Sequence, residues 1–148
     1  MLNLISRWHK SINEIPEQDW NSLIGHQSNP FYQWQWLNKL ENSGSISPKQ
    51  GWQPLHLGLW RRDILIAVAP LYLKGHSYGE FIFDQVFARL AGQLGINYYP
   101  KLVGMSPLSP IDGYKFFYAP EEDTEALTVI MMNTIDQFAF KNCISSCN

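Results

Sequence analysis

From Ile64 to Leu73 the chain runs Ile-Leu-Ile-Ala-Val-Ala-Pro-Leu-Tyr-Leu, without a charge, and this run most limits what the polypeptide can become. It is far short of the roughly 20 residues needed to cross a bilayer as a helix. An apolar run of this length suits a strand covered on both faces. Just before it, Leu55, Leu57 and Leu59 alternate with His56 and Gly58 across Trp52 to Trp60, the period-2 pattern of a second strand. Arg61-Arg62-Asp63 breaks the apolar pattern, so the two segments read as a hairpin leading into the centre of a sheet.

Layers must then cover that sheet, and the remaining periodicities supply them. Leu2, Leu4, Ser6 and Trp8 alternate with more polar positions, predicting a first strand. Pro16 suits the first position of a helix, with Trp20, Leu23 and Ile24 on one stripe and Gly25 as its stop. Asn29 and Pro30 supply a cap and a first residue for a second helix, which carries Phe31, Trp34, Leu37 and Leu40 and ends at Gly44. Asp84 can cap a third, with Phe83, Val86, Phe87, Leu90, Ala91 and Leu94 at helical spacing before Gly95. Tyr98 to Met105 predicts a strand, edge-like because Pro100 cannot donate to a ladder. Pro120 opens the most strongly patterned helix, with Leu127, Ile130, Met131, Thr134, Ile135 and Phe138 in register, and Asn142 to Asn148 begins another strand. The order is β-α-α-β-β-α-β-α with a strand beginning at the end, a mixed α/β chain with some antiparallel neighbours.

Composition narrows the function. Hydrophobic residues make up 45% and charged residues 16% of 148, which excludes disorder. A net charge of −2 without a block of like charges argues against a surface built for nucleic acid or an anionic membrane. The apolar start is too short for a signal-peptide core, so a cytoplasmic protein without a membrane span is expected. Cys143 and Cys147 have no matching pair elsewhere for a zinc site or a disulfide framework, and read as two reduced thiols. No repeat or linker divides the chain, so residues 1–148 are expected to form one domain.

Several known chemistries are missing from the sequence. It has no Gly-x-Ser-x-Gly elbow, no phosphate loop of the Walker type and no His-Glu-x-x-His helix. Arg89-Leu-Ala-Gly92-Gln-Leu-Gly95 superficially matches a phosphate loop but lies within a helical pattern, where the amide donors are already used. His76-Ser-Tyr-Gly-Glu80 follows a strand as a polar, aromatic loop. Such loops carry binding and proton-transfer residues, which makes His76, Tyr78 and Glu80 candidates; plain loop hydrogen bonding is the alternative. His76 and Glu80 have no second ligand pair, so no metal is expected. Tyr98-Tyr99-Pro-Lys101 sets phenols and an amine beside a turn, suited to an anionic ligand or to packing. Ser106-Pro-Leu-Ser109-Pro-Ile-Asp-Gly113 joins a strand to a helix and can turn backbone amides toward an anion, or can serve as a rigid crossover.

At this point the wording of several segments carries a family resemblance. Gly51-Trp-Gln-Pro-Leu-His-Leu, Ala69-Pro-Leu-Tyr-Leu-Lys-Gly-His-Ser-Tyr-Gly-Glu-Phe-Ile-Phe-Asp84, Tyr98-Tyr-Pro-Lys-Leu102 and Pro107-Leu-Ser-Pro110 with Gly113 resemble the FemAB-like peptidoglycan biosynthesis/recognition family. Asn29-Pro-Phe31 and Glu41-Asn-Ser-Gly44 match its early helix and that helix's end. Gln85 stands where a Trp often follows the Asp, and Leu108-Ser109 replace the commoner Phe-Thr. The resemblance implies the first half of a GNAT-type acyltransferase fold, with Tyr98 to Met105 as its fourth strand. It implies acyl-CoA or aminoacyl-tRNA as donor and an amine, such as one of a peptidoglycan precursor, as acceptor. His76 or Glu80 is then expected to accept a proton, Tyr78, Tyr99 and Lys101 to hold substrate, and Ser109 and Gly113 to lie at the donor's pyrophosphate. Family members run well beyond 148 residues, so an incomplete N-terminal portion is expected. A non-catalytic peptide-recognition module, or an inactive remnant that self-associates through an unpaired C-terminal strand, is the alternative.

Overall fold

The computed structural model of the chain describes residues 4–25, 29–78, 80 and 84–148. Its centre is the hairpin that the apolar run demands. β3 (His56–Arg61) and β4 (Ile64–Ala69) are antiparallel and joined by a turn in which Arg62 takes a φ of +56°. β1 (Leu4–His9) pairs with the outer edge of β3, and β7 (Phe117–Tyr118) with the outer edge of β4, giving the order β1-β3-β4-β7.

Both strands of the hairpin are broken rather than continuous as expected. Pro70 has no N–H, so the ladder stops there. It resumes as β2 (Trp52–Pro54) and β5 (Tyr72–Lys74), which with β6 (Lys101–Val103) form a second sheet, β2-β5-β6. The corner between the sheets is stitched by two bonds. Leu55 N donates to Leu71 O at 2.9 Å, and Leu71 N donates to Nδ1 of the buried His56 at 3.3 Å.

β4 is covered on both sides, as its composition predicts. Ile66, Ala67 and Ala69 join a core with Leu57, Leu59 and the Leu127, Met131 and Ile135 stripe of α4 (Thr124–Lys141). Leu65 and Val68 join a second core with Trp20, Leu23 and Ile24 of α1 (Glu17–Ile24) and Leu37 of α2 (Trp34–Asn42). Ile64 is the exception, 67% exposed at the hairpin tip.

Other boundaries moved for local reasons. Asn29 and Pro30 begin only one 3-10 turn, Pro30–Tyr32, because Gln33 is extended and the Trp34 N–H, freed from a continuous helix, bonds Oδ1 of Asn21 at 2.9 Å. α4 starts at Thr124 rather than Pro120, since Asp123 Oδ1 accepts from the N–H groups of Glu125 and Ala126; the residues before it form the unexpected β7. α3 (Gln85–Gln93) forms as spaced, but Val86, Phe87 and Leu90 are exposed and enter no core. The predicted Tyr98 to Met105 strand contracts to β6. Leu2 and Phe83 lie outside the described residues.

After α4 the chain returns alongside β6. Leu102 N donates to Ser146 O at 3.0 Å, Asn148 N to Leu102 O at 2.9 Å and Gly104 N to Asn148 O at 2.7 Å, a parallel pairing centred on Cys147. Of the strand expected to begin over Asn142 to Asn148, only this isolated bridge to β6 forms. Among the described residues no helix is long and apolar enough to cross a membrane.

Buried His9 gives the fold a measurable pH dependence. Its Nε2 accepts from Trp60 Nε1 at 3.3 Å and its Nδ1 lies 3.4 Å from Glu14, with Arg7 and His56 also acting on it. Burial lowers its pKa against the pull of Glu14. The unfolded chain therefore binds the proton first, so this stability is complete above about pH 6.5 and is lost as pH falls toward the folded pKa. His9→Gln should flatten the melting temperature between pH 7 and 5; a wild-type melting temperature indifferent to pH in that window would contradict this.

Candidate functional site

Antiparallel register in the second sheet sets Trp52 opposite Lys74, and Lys74 opposite Lys101, in one row across three strands. The three therefore share a face of the sheet. Two lysines directly opposite each other repel, and here Lys74 is 1% and Lys101 6% exposed. A chain that only needed a core would place apolar residues there, as the next row on the opposite face does with Leu73 and Leu102.

Glu80 and Asp84 neutralise the row. Glu80 Oε1 accepts from Lys74 Nζ at 2.5 Å and from Trp52 Nε1 at 2.7 Å, while Lys74 Nζ sits 4.0 Å from the centre of the Trp52 ring. Asp84 Oδ2 accepts from Lys101 Nζ at 3.0 Å, from the Tyr99 hydroxyl at 2.6 Å and from Ser77 Oγ at 3.4 Å. Lys101 also bonds the Tyr98 hydroxyl at 3.1 Å. Two cations, two carboxylates and three aromatic rings thus meet at one end of the sheet.

Titration follows the same geometry. Burial acts to raise the Asp84 pKa, but the bonds from Tyr99 and Lys101 outweigh it and hold it below the usual carboxylate value. Burial acts to lower Lys101, and its bonds to Asp84 and Tyr98 more than compensate, leaving it raised. Lys74 goes the other way: desolvation lowers it despite Glu80. Burial, reinforced by Asp84, keeps the Tyr99 phenol protonated well above its ordinary range.

Two clefts open on this cluster. One, about 240 Å³, lies over Trp52, Lys74, Ser77 and Lys101 and is bounded by Gly104 and Asn148, the residues that join β6 to the returning chain. The other, about 380 Å³, lies beyond Asp84 and Tyr99 against His76, Tyr78 and α3. A wider groove of about 640 Å³ runs along β7 between α1 and α4, with Lys115 as its charged side chain. It contains none of the paired charges.

The structure brings together Glu80, Tyr99 and Lys101 of the residues singled out in the sequence. His76 stands at the rim. Its Nδ1 accepts from Tyr78 N at 3.3 Å and its Nε2 lies 3.2 Å from Lys49 O, so both ring nitrogens are engaged. Gly51 makes room for it, since a Cβ there would meet the His76 carbonyl oxygen at 2.6 Å. Tyr78 is 78% exposed and stacks on His76. Ser109 is buried and its Oγ donates to Pro107 O, while Gly113 sits at φ +94° in open space; neither lines the clefts at the lysine row. Lys74, Trp52, Ser77 and Asp84 were missed as site residues. A signal existed: Lys74 is a charge attached to the end of the apolar run, where burial demands a partner. No group of three or more metal-binding side chains occurs among the described residues.

The family model of FemAB-like proteins, described as peptidoglycan biosynthesis/recognition, matches residues 11–148, and the chain belongs to that family. The match takes in every strand and helix of the site. No curated protein and no solved structure matches the chain.

Proposed function

We propose that the chain is the acceptor-holding portion of a FemAB-like acyl or aminoacyl transferase, acting on an amine of a peptidoglycan precursor. The observation that carries this reading is the lysine row: like charges kept face to face in a buried strand pair, each neutralised by its own carboxylate, beside a cleft. Such an arrangement costs stability, and perturbed, coupled charges in a cleft mark functional sites.

The return of the chain to β6 after α4, in parallel at Cys147, supports reading this side as the donor side of a GNAT-type fold. The resemblance puts acyl-CoA or aminoacyl-tRNA there, with its pyrophosphate or backbone near the loop of Ser109 and Gly113. Lys101 and Lys74 supply positive charge for an anionic group, and Tyr99 and Tyr78 supply hydrogen bonding and packing. The acceptor amine forms the new bond to the donor carbonyl carbon as the bond to sulfur or oxygen breaks, and its surplus proton needs a base. Glu80 Oε2, the oxygen that Lys74 and Trp52 leave unbonded among the described residues, is the proposed proton acceptor, with His76 at the rim as the other candidate.

In the polypeptide as its cells make it, Glu80→Gln should cut transfer by about 100-fold or more. The melting temperature gauges the separate effect of leaving Lys74 unpaired. Unaltered turnover would remove Glu80 from the reaction. A non-catalytic recognition module is the second reading, favoured by the engagement of both His76 nitrogens and both carboxylates. It predicts peptide binding without transfer.

A further inference from the structure

The cleft beyond Asp84 has charges that the lysine row does not consume. Asp84 is 7% exposed, and while its Oδ2 takes three donors, its Oδ1 is buried with none. A carboxylate oxygen held out of water without a donor is costly and rare, and asks for an explanation. Asp84 stands at the start of α3 yet makes no capping bond to it, so the carboxylate is turned away from its own helix. It lines the same cleft as Arg89, an exposed guanidinium of α3 that makes no hydrogen bond or ion pair among the described residues. Along another wall Tyr78 stacks on His76, ring centres 4.9 Å apart at 29°.

We infer that this cleft binds the zwitterionic head of a free α-amino acid, with its ammonium donating to Asp84 Oδ1 and its carboxylate on Arg89. The head of an amino acid carries opposite charges on neighbouring groups, matching an unmet acceptor and an unmet donor in one cleft. An amine alone leaves the guanidinium without its anion, and a carboxylate alone leaves Oδ1 without its donor. Guanidinium and carboxylate also meet in the geometry that favours two parallel bonds. The amino acid's side chain then lies toward the His76–Tyr78 stack, whose rings offer apolar surface and a polar edge. The inference goes beyond transfer, because binding of this group needs no donor and is read without turnover.

The test is an NMR titration of the whole chain with alanine, ethylamine and propionate, the last two lacking the carboxylate and the ammonium respectively. Alanine should shift the amides of His76, Tyr78, Ala88 and Arg89 saturably, with the two half-ligands weaker by about tenfold or more. Arg89→Gln, on an exposed helix face, leaves the fold intact and should weaken alanine by a similar factor while sparing ethylamine. Asp84→Asn should weaken alanine and ethylamine together, with a melting curve to confirm folding. Equal binding of all three ligands, alanine binding unchanged in Arg89→Gln, or no saturable shift with alanine would each overturn the inference.

Discussion

Replacing Lys101 by methionine is expected to cost the fold about 3–5 kcal/mol, the loss seen when one member of a buried ion pair is removed. Methionine keeps most of the side-chain volume, so the change isolates the charge. Asp84 then remains 7% exposed with only Tyr99 and Ser77 donating to it. Relief of the repulsion between Lys101 and Lys74 offsets part of this. The offset is small because Glu80 already neutralises Lys74. Urea midpoints at pH 7 read the effect, and Lys101→Met combined with Asp84→Leu should recover most of it. A loss below about 1 kcal/mol would mean that the pair behaves as a solvated surface pair. The pH window follows from the two shifts. Asp84, lowered, loses its contribution as pH falls through its folded pKa, and Lys101, raised, loses its own as pH rises through its folded pKa. The pair's contribution is therefore constant from about pH 5 to 10 and fades at both ends.

Glu41→Ala is the second large effect, about 2–4 kcal/mol, and it acts far from the clefts. The Glu41 carboxylate ends α2 and reaches back to accept from Ser11 Oγ at 2.7 Å and from Ile12 N at 3.0 Å, and it lies 3.4 Å from His56 Nε2. Since Leu71 N donates to His56 Nδ1, the imidazole proton sits on Nε2 and points at Glu41. One side chain thus ties the start of the chain, α2 and the corner between the two sheets. Alanine leaves the Ile12 N–H and the His56 N–H buried without acceptors, each costing about 1–3 kcal/mol. Glu41→Gln, which keeps an acceptor oxygen, should retain part of the stability. Thermal melts of both variants check this; equal melting temperatures for Glu41→Ala and wild type would mean that the corner holds without the carboxylate.

Much of the fold was legible because it rests on period. The apolar run from Ile64, the leucine alternation before it and the stripe of Leu127, Met131 and Ile135 each report burial directly. Boundaries were not, because they depend on single bonds between distant residues. Asn21 taking the Trp34 N–H splits a helix, and nothing in the local sequence of residues 29–37 contains Asn21. β7 was invisible for a similar reason: two residues, Phe117 and Tyr118, become a strand only because β4 offers them an edge. The exposed apolar face of α3 shows the limit of periodicity, which reports a stripe but not whether anything lies against it. In the site, Glu80, Tyr99 and Lys101 were found as polar or aromatic residues near strand ends. Lys74 and Trp52 were absorbed into apolar segments, since only cross-strand register brings a lysine and a tryptophan 22 positions apart into one row with Lys101.

That the lysine row and its cleft hold a peptidoglycan peptide, as proposed, is tested by an NMR titration of the chain with a muropeptide, run beside acyl-CoA and aminoacyl-tRNA. Saturable muropeptide binding is expected, with the largest amide shifts at Trp52, Lys74, Ser77, Lys101 and Gly104. Shifts confined to the groove along β7, or no saturable binding of the muropeptide at all, would contradict it.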